Sequence, residues 1–410
     1  MSLLVLYNPV CGHSQGHAIF QHIVLPRLAQ HGHTPAAVVA TTHPGHAGEV
    51  VLQHLAAADG PLTVVLGSGD GTLHEILAAL HSGAPTGTRT AARLLSFVLV
   101  PCGTANALYH SLFPPSPDSS QELRDSQTRS LDAYLTDGPR ARPLTLAQTV
   151  LLDGAQQPTG ASIAAVVAST ALHASILHDS EALRPTHPGV ERFKLAAQQN
   201  LTRWYHARAR LAVAHTPVPN AGIAPVVEIF SPAARGFVPY TGPGAAPDGT
   251  AVTLDGPFVY FLSTVNADRL EANFRIAPCQ STFPPLPESS PPTIDVVVIR
   301  PLRDPALLEE SEHARQAFAE KSMAILTAAY RDGAHIHARY GGAGEVVEGG
   351  TGDVVVEYFR CNSWEWIPDP SDQYAHLVCV DGEILQVEPG GKAVNTALHR
   401  ADGYTISVYS

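Results

Sequence analysis

Residues 64–75 read Val-Val-Leu-Gly-Ser-Gly-Asp-Gly-Thr-Leu-His-Glu, an apolar β-branched run entering three glycines around a single carboxylate, Asp70. Glycine tolerates positive φ and lets backbone approach a ligand. A helix that follows such a loop presents unpaired N–H groups and the positive end of its dipole. That is a place to hold phosphate. A carboxylate there would repel phosphate unless it coordinates a cation or faces a hydroxyl that must lose a proton, so the pattern points to phosphoryl transfer. Two more turns carry glycine and small polar residues: Asn8-Pro-Val-Cys-Gly-His-Ser-Gln-Gly16, and Pro101-Cys-Gly-Thr-Ala-Asn-Ala107.

These residues need a frame, and the apolar periodicity supplies one. A strand is predicted over 3–7, then a helix with apolar residues at Ile19, Ile23, Leu25 and Leu28 that stops at His31-Gly32. A strand over 36–40 and a helix over 47–58 follow, then the strand, turn and helix of 64–80, then a strand over 94–100. Strand, glycine-bearing turn and helix in repetition imply a parallel sheet whose loops gather beyond the carboxyl ends of its strands. Three of those loops then meet at one crevice. The character changes after the proline-rich breaker at 113–120. Short β-like runs at 145–151, 164–168, 209–215, 226–230, 259–262, 294–299, 354–359, 376–380 and 404–408 indicate a second, largely antiparallel domain. Helices are predicted near 190–204 and 305–331, and the Pro-, Gly- and Ser-rich stretches 239–250 and 284–292 read as exposed insertions.

Composition narrows the class. At 410 residues the chain exceeds one ordinary core, and 45% apolar residues without a run of about 20 fit a globular protein that can visit a membrane but not cross it. The start has no basic segment before its apolar run, so cytosolic synthesis is expected. Five cysteines without CxxC spacing support neither a disulfide framework nor a zinc site. A net charge of −12 argues against nucleic acid and against global attraction to anionic lipid. Asn200-Leu-Thr202 fits a glycan acceptor pattern, which a cytosolic chain would not use.

The ordered motifs resemble the lipid kinase superfamily of diacylglycerol, ceramide and sphingosine kinases, and among these most resemble sphingosine kinases. The resemblance runs from Asn8–Gly16 through Thr41, Thr42 and His46-Ala47. It continues with Ser68-Gly-Asp-Gly-Thr-Leu-His-Glu75, Pro101–Ala107, Asp179-Ser-Glu181, Glu191-Arg-Phe193 and Arg208-Ala-Arg-Leu211, and ends with Val380-Asp-Gly-Glu-Ile384. It implies an N-terminal α/β domain of the phosphofructokinase-like type over 1–140 and a C-terminal antiparallel β-sandwich over 141–410 that holds the lipid. ATP and Mg²⁺ would lie in the cleft between them.

By this resemblance Asp70 is the catalytic residue, taking the acceptor hydroxyl's proton or holding that hydroxyl in line with the terminal phosphate. Asn8, Gly12, Gly16, Thr41, Gly69, Gly71, Thr72, Gly103, Thr104 and Asn106 would hold the nucleotide. So would Arg192, as a phosphate clamp, and Asp381 and Glu383, with Glu383 as a metal ligand. Ser68, Ser175 and Asp179 would meet the lipid.

Two departures stand out. Sphingosine kinases have Gly-Gly-Lys where this chain has Cys11-Gly12-His13, which implies weaker or pH-dependent nucleotide affinity. Ser175 replaces the acid that reads a sphingoid amine, so Asp179 or Glu181 would substitute, or the acceptor is a neutral diacylglycerol or ceramide. The expected activity is ATP-dependent phosphorylation of a primary hydroxyl on a sphingoid base or related lipid, in the cytoplasm with peripheral membrane contact. A catalytically weak lipid-binding scaffold and an NAD kinase are the alternatives. Cys11 and Cys102, in loops that should both face the nucleotide, are candidates for oxidation, and Ser290-Pro291 for phosphorylation.

Overall fold

The central strands of the first unit are apolar and mostly buried, as a parallel sheet covered on both faces requires. In a computed structural model of the chain, residues 2–11, 16–57, 60–82, 93–115, 127–136, 141–187, 189–214, 225–285, 291–400 and 403–410 are described. They divide into two units. The first comprises Met1–Leu146, Leu270–Ala272 and Leu398–Ser410; the second comprises Ala147–Arg269 and Asn273–Ala397.

In the first unit, β1 (Ser2–Tyr7), β2 (Ala37–Ala40), β3 (Leu62–Ser68) and β4 (Arg93–Pro101) are mutually parallel, in the order β2-β1-β3-β4. All seven residues of β3 are buried, and Val64, Val65 and Leu66 are at most 2% exposed. Each such side chain stabilises the fold by roughly 1.5–3 kcal/mol relative to exposure. That commits the strand, and therefore the position of the loop that leaves it.

Past β4 the sheet departs from the sequence reading. The run at 404–408, assigned above to the antiparallel domain, is the strand Tyr404–Tyr409, and it pairs parallel to β4 with Tyr404 opposite Arg93. Strand β5 (Ala141–Pro143) closes that edge antiparallel. The return of the C-terminus is pinned by polar contacts: Ser96 and Ser407 share a hydroxyl hydrogen bond at 2.8 Å, and Ser130 donates to the Tyr409 carbonyl at 2.6 Å. Period-2 alternation identifies a strand but says nothing about its partner.

The helices predicted after β1, β2 and β3 form in place, and two more, after β4, were not predicted. The first is interrupted: α1 (Gly16–Ile19) passes through a π-helical turn, Phe20–Val24, into α2 (Leu25–Gln30). Pro26 lacks the N–H that would continue the ladder, which accounts for the break. Phe20 stacks on Tyr7 at 4.9 Å and 20° within a core that also contains Val5, Val65, Val98 and Val100. Then come α3 (His46–Ala57), α4 (Asp70–Ser82), α5 (Ala107–Leu112) and α6 (Arg129–Leu135).

Besides a two-stranded ribbon, Ala338–Tyr340 with Val346–Glu348, the second unit contains two large, mainly antiparallel sheets. One runs Gly236–Pro239, Glu228–Ser231, Glu357–Cys361, Ile294–Ile299, Tyr260–Thr264, Val167–Thr170, Leu377–Val380, Glu383–Gln386. The other runs Ala251–Asp255, Ala207–Ala212, Ser363–Pro368, Lys392–Leu398, Leu146–Leu152, Pro158–Ala164. Their inner faces meet at Trp364 and Trp366, both fully buried, with Phe261 5.4 Å from the first ring and 5.2 Å from the second. Each indole N–H finds an acceptor, Ser263 Oγ at 2.9 Å and the Ala375 carbonyl at 2.7 Å, so neither buried donor is left unsatisfied.

A helix absent from the sequence reading, α7 (Ala171–Leu183), leaves the strand Val167–Thr170 without an intervening residue. Ala171 makes the turn at φ 55, a conformation that alanine rarely adopts, so no Gly, Asn or Pro marks the place. Helix α8 (Glu191–Asn200) packs against α7, and a longer helix spans Glu312–Ala328. Among the described residues no helix is long and apolar enough to cross a membrane.

Candidate active site

The end of β3 organises the polar residues of the first unit. The Gly67 carbonyl accepts the N–H of Asn8 at 2.9 Å, and the next carbonyl, of Ser68, accepts the N–H of Cys102 at 3.1 Å. Loops leaving β1 and β4 are thereby fixed on either side of the loop leaving β3. The glycines make the approach possible: a Cβ on Gly103 would stand 2.4 Å from the Cα of Gly69, and one on Gly16 would stand 2.8 Å from the Asn8 carbonyl oxygen.

Asp70 is the first residue of α4, but its carboxylate serves a different helix. Oδ2 accepts the N–H of Ala107 at 2.7 Å and Oδ1 accepts that of Leu108 at 3.1 Å. Asn106, at φ 52, turns the chain into α5. Its amide closes the loop on itself, with Oδ1 accepting from the Gly103 N–H and Nδ2 donating to the Gly103 carbonyl, both at 2.9 Å. Burial pushes the Asp70 carboxyl above its ordinary pKa, and the N–H groups of Leu108 and Ala107 pull it partly back. The result is an oriented carboxylate of raised proton affinity. A carboxylate has about four lone-pair sites, so with two N–H groups bound it can still receive a hydroxyl proton.

The other predicted residues of this unit lie around that carboxylate's loops. Ser68 is buried and its hydroxyl bonds that of Thr72, while Gly71 and Thr104 are exposed. The Asn8 side chain accepts the Val10 N–H at 3.0 Å. Thr41 donates its N–H to the Tyr7 carbonyl at 2.9 Å, at the end of β1. Gly12, with His13, lies outside the described residues.

One positioning group went unassigned in the sequence. Glu75, one turn beyond Asp70 on α4, accepts the Gly45 N–H at 3.0 Å and so ties the loop carrying Thr41 to the same helix. Its only signal was its place at the end of the Ser68–Glu75 motif.

The remaining predicted residues belong to the second unit. Asp381, at φ 47, is 8% exposed and accepts three backbone N–H groups, Ala165 at 2.7 Å, Val166 at 3.1 Å and Val167 at 2.7 Å. Both its oxygens are committed to anchoring the turn between the strands Leu377–Val380 and Glu383–Gln386. Glu383, two residues on, is exposed and accepts from the Ser162 hydroxyl.

The Arg192 guanidinium lies over the Phe193 ring at 4.5 Å and reaches Glu181 only at 3.6 Å. Its Nε has no hydrogen-bond partner among the described residues, so this buried donor suits an anion.

Asp179 accepts from Asn200 and from His178, both at 2.8 Å, with Arg203 at 3.8 Å. Burial raises its carboxyl pKa, but Asn200, His178 and Arg203 outweigh that and hold it below the usual range. Asn200 is 1% exposed, so the glycan pattern at this position is occluded. Ser175 has no exposure, and its hydroxyl lies beside that of Tyr205 with neither in hydrogen-bonding geometry to protein. It is sealed from solvent.

Residues 2–135 match the family described as diacylglycerol kinase catalytic domain. Among curated proteins none matches the sequence. Two solved structures of a candidate diacylglycerol kinase from Bacillus anthracis str. Sterne resemble the fold with TM-scores of 0.52 and 0.51. Both show 14% identity, and the match covers 100% of this chain and 97% of theirs. Yeast NADH kinase complexed with NADH is more distant, at a TM-score of 0.38 and 10% identity over 100% of this chain and 84% of that one.

Proposed function

We propose, on the premise that residues 2–135 are a diacylglycerol kinase catalytic domain of the lipid kinase superfamily, that the protein is an ATP-dependent kinase of a lipid primary hydroxyl. The observation that supports this best is the carboxylate of Asp70, oriented by the Ala107 and Leu108 N–H groups where three glycine-bearing loops converge.

ATP would supply the phosphoryl group and Mg²⁺ would offset its charge. Asp70 would take the acceptor's proton at its free lone pairs, its raised pKa making it a stronger base than an ordinary carboxylate. Gly69 and Gly103 let the two loop backbones lie side by side where the phosphates would bind, and Glu75 holds the Thr41 loop in register. In the second unit, Arg192 has a donor left for phosphate, and the exposed Glu383 would be the metal ligand.

An uncharged acceptor of the diacylglycerol type fits better than a sphingoid base. A sphingoid amine needs an unpaired carboxylate, whereas Asp179 already faces Asn200, His178 and Arg203, and Ser175 is inaccessible. Radiolabelled ATP offered with diacylglycerol, ceramide, sphingosine and phytosphingosine in mixed micelles, and with NAD in buffer, tests the reading. Label is expected in diacylglycerol and absent with Asp70→Asn. Label in NAD alone would refute the lipid kinase, and preference for sphingosine would refute the neutral acceptor.

A further inference from the structure

The two loops fixed by the end of β3 carry a cysteine each. Asn8 bonds the Gly67 carbonyl and Cys102 bonds the adjacent Ser68 carbonyl, so the chain three residues past Asn8 is brought over the same strand end. There Cys11 packs against the core cluster that holds Cys102 together with Tyr7, Phe20 and Val100, and each thiol shifts the proton affinity of the other. The Cys11 thiol also reaches the Asn8 carbonyl at 3.2 Å. Accessibility is one-sided: Cys102 is 9% exposed, whereas Cys11 is half-buried beside Val10, which is 76% exposed.

We propose that Cys11 and Cys102 are a reversible redox pair, oxidised by hydroperoxides to a disulfide that clamps the loop after β1 to the loop after β4. The Cys11 thiolate attacks the hydroperoxide O–O bond. One oxygen stays on sulfur as sulfenic acid, and the other leaves as alkoxide and takes a proton to become an alcohol. Cys102 sulfur then displaces the sulfenic oxygen, which departs with the Cys102 proton as water. Two thiols and one hydroperoxide become one disulfide, one alcohol and one water, and the two electrons lost by sulfur reduce the peroxide.

Three features support this order of events. The neighbouring Cys102 thiol lowers the Cys11 pKa; burial opposes, and Ser68 adds to the lowering. Cys102 is correspondingly raised, so the attacking and resolving sulfurs are distinct. Both thiols belong to one core cluster, and the loop that carries Cys11, whose neighbour Val10 is exposed, is the one that would move to form a bond of about 2.05 Å. The other thiols, Cys279, Cys361 and Cys379, are at most 1% exposed, and burial raises all three pKa values.

Such a bridge would freeze the loops on both sides of Asp70 and block nucleotide entry. That consequence, though not the bridge, rests on the function proposed above. Peptide mapping of the full chain after hydrogen peroxide is expected to yield a linked Cys11–Cys102 peptide, cleaved by dithiothreitol, with Cys279, Cys361 and Cys379 unmodified. A Cys102→Ser protein is expected to accumulate sulfenic acid at Cys11, trapped by dimedone, and Cys11→Ser to leave Cys102 unreactive. Absence of the linked peptide in the native protein, or equal oxidation of the three buried thiols, would overturn the pair. Thermal protection by ATP, present in reduced protein and lost on oxidation, is expected. Undiminished protection in the bridged protein would overturn the block, while no protection of the reduced protein would instead refute the kinase and leave the bridge standing.

Discussion

Gly103 and Gly69 pass so closely that a side chain on the first would meet the second's Cα at 2.4 Å and its amide nitrogen at 2.9 Å. This apposition delivers the Ala107 and Leu108 N–H groups to Asp70. Gly103→Ala is expected to force the loops apart, costing about 1–3 kcal/mol by urea denaturation, with phosphotransfer lost. Gly71→Ala meets nothing within 4 Å and is expected to leave stability unchanged or raise it by about 0.5–1 kcal/mol. A rise in the KM for ATP in that stable protein would mark where the nucleotide approaches the backbone.

Asp70→Asn replaces an acceptor with an NH₂ group facing a backbone N–H, so one of the two bonds is lost. Activity is expected to fall by about 10²–10⁴ while the fold persists, as circular dichroism would show. The pH profile carries a second signature. Because burial raises the folded-state pKa, the proton binds more tightly in the folded protein than in the unfolded one. This carboxyl therefore adds stability as pH falls through its folded pKa and loses that contribution as pH rises through it. Activity needs the ionised form and runs the other way. The acid limb of kcat/KM is expected above the ordinary carboxylate range, and a limb near the usual Asp value would count against Asp70 as the base.

Asp381→Asn and Glu383→Gln separate structure from ligation within one turn. The first removes charge from a carboxylate that accepts three N–H groups and is expected to destabilise the protein by about 2 kcal/mol. The second alters an exposed side chain and is expected to leave the denaturation midpoint in place while raising the Mg²⁺ needed for half-maximal rate. Equal loss of stability in both would remove the distinction.

Glu75→Ala strands the Gly45 N–H and frees the loop that carries Thr41. The KM for ATP is expected to rise about tenfold, corresponding to about 1.4 kcal/mol, with Glu75→Gln, which keeps an acceptor oxygen, restoring most of it. Acceptor KM is expected to be unmoved.

The first four strands, their helices and the glycine turns were legible because each is a local pattern. Alternation, helical spacing and φ tolerance are properties of a few neighbouring residues. Asp70 was legible for the same reason, framed by Gly69 and Gly71. Asp381 shows the limit of such reading. Its Asp-Gly-Glu sequence marks a turn, but the three N–H groups that occupy its carboxylate come from residues 165–167, more than two hundred positions earlier. The helix at Ala171–Leu183 was missed because an alanine takes the positive φ that punctuation residues normally advertise.

Read along the chain alone, this protein discloses a glycine-framed loop around one aspartate, a parallel sheet behind it and a β-rich half beyond, since short-range sterics and periodicity specify all three. Contacts between distant positions lie beyond such reading. Tyr404–Tyr409 belongs beside β4, Ala107 and Leu108 hold Asp70, and Cys11 meets Cys102, because strand pairing and loop apposition are set by which surfaces bury together and not by any residue's immediate neighbours.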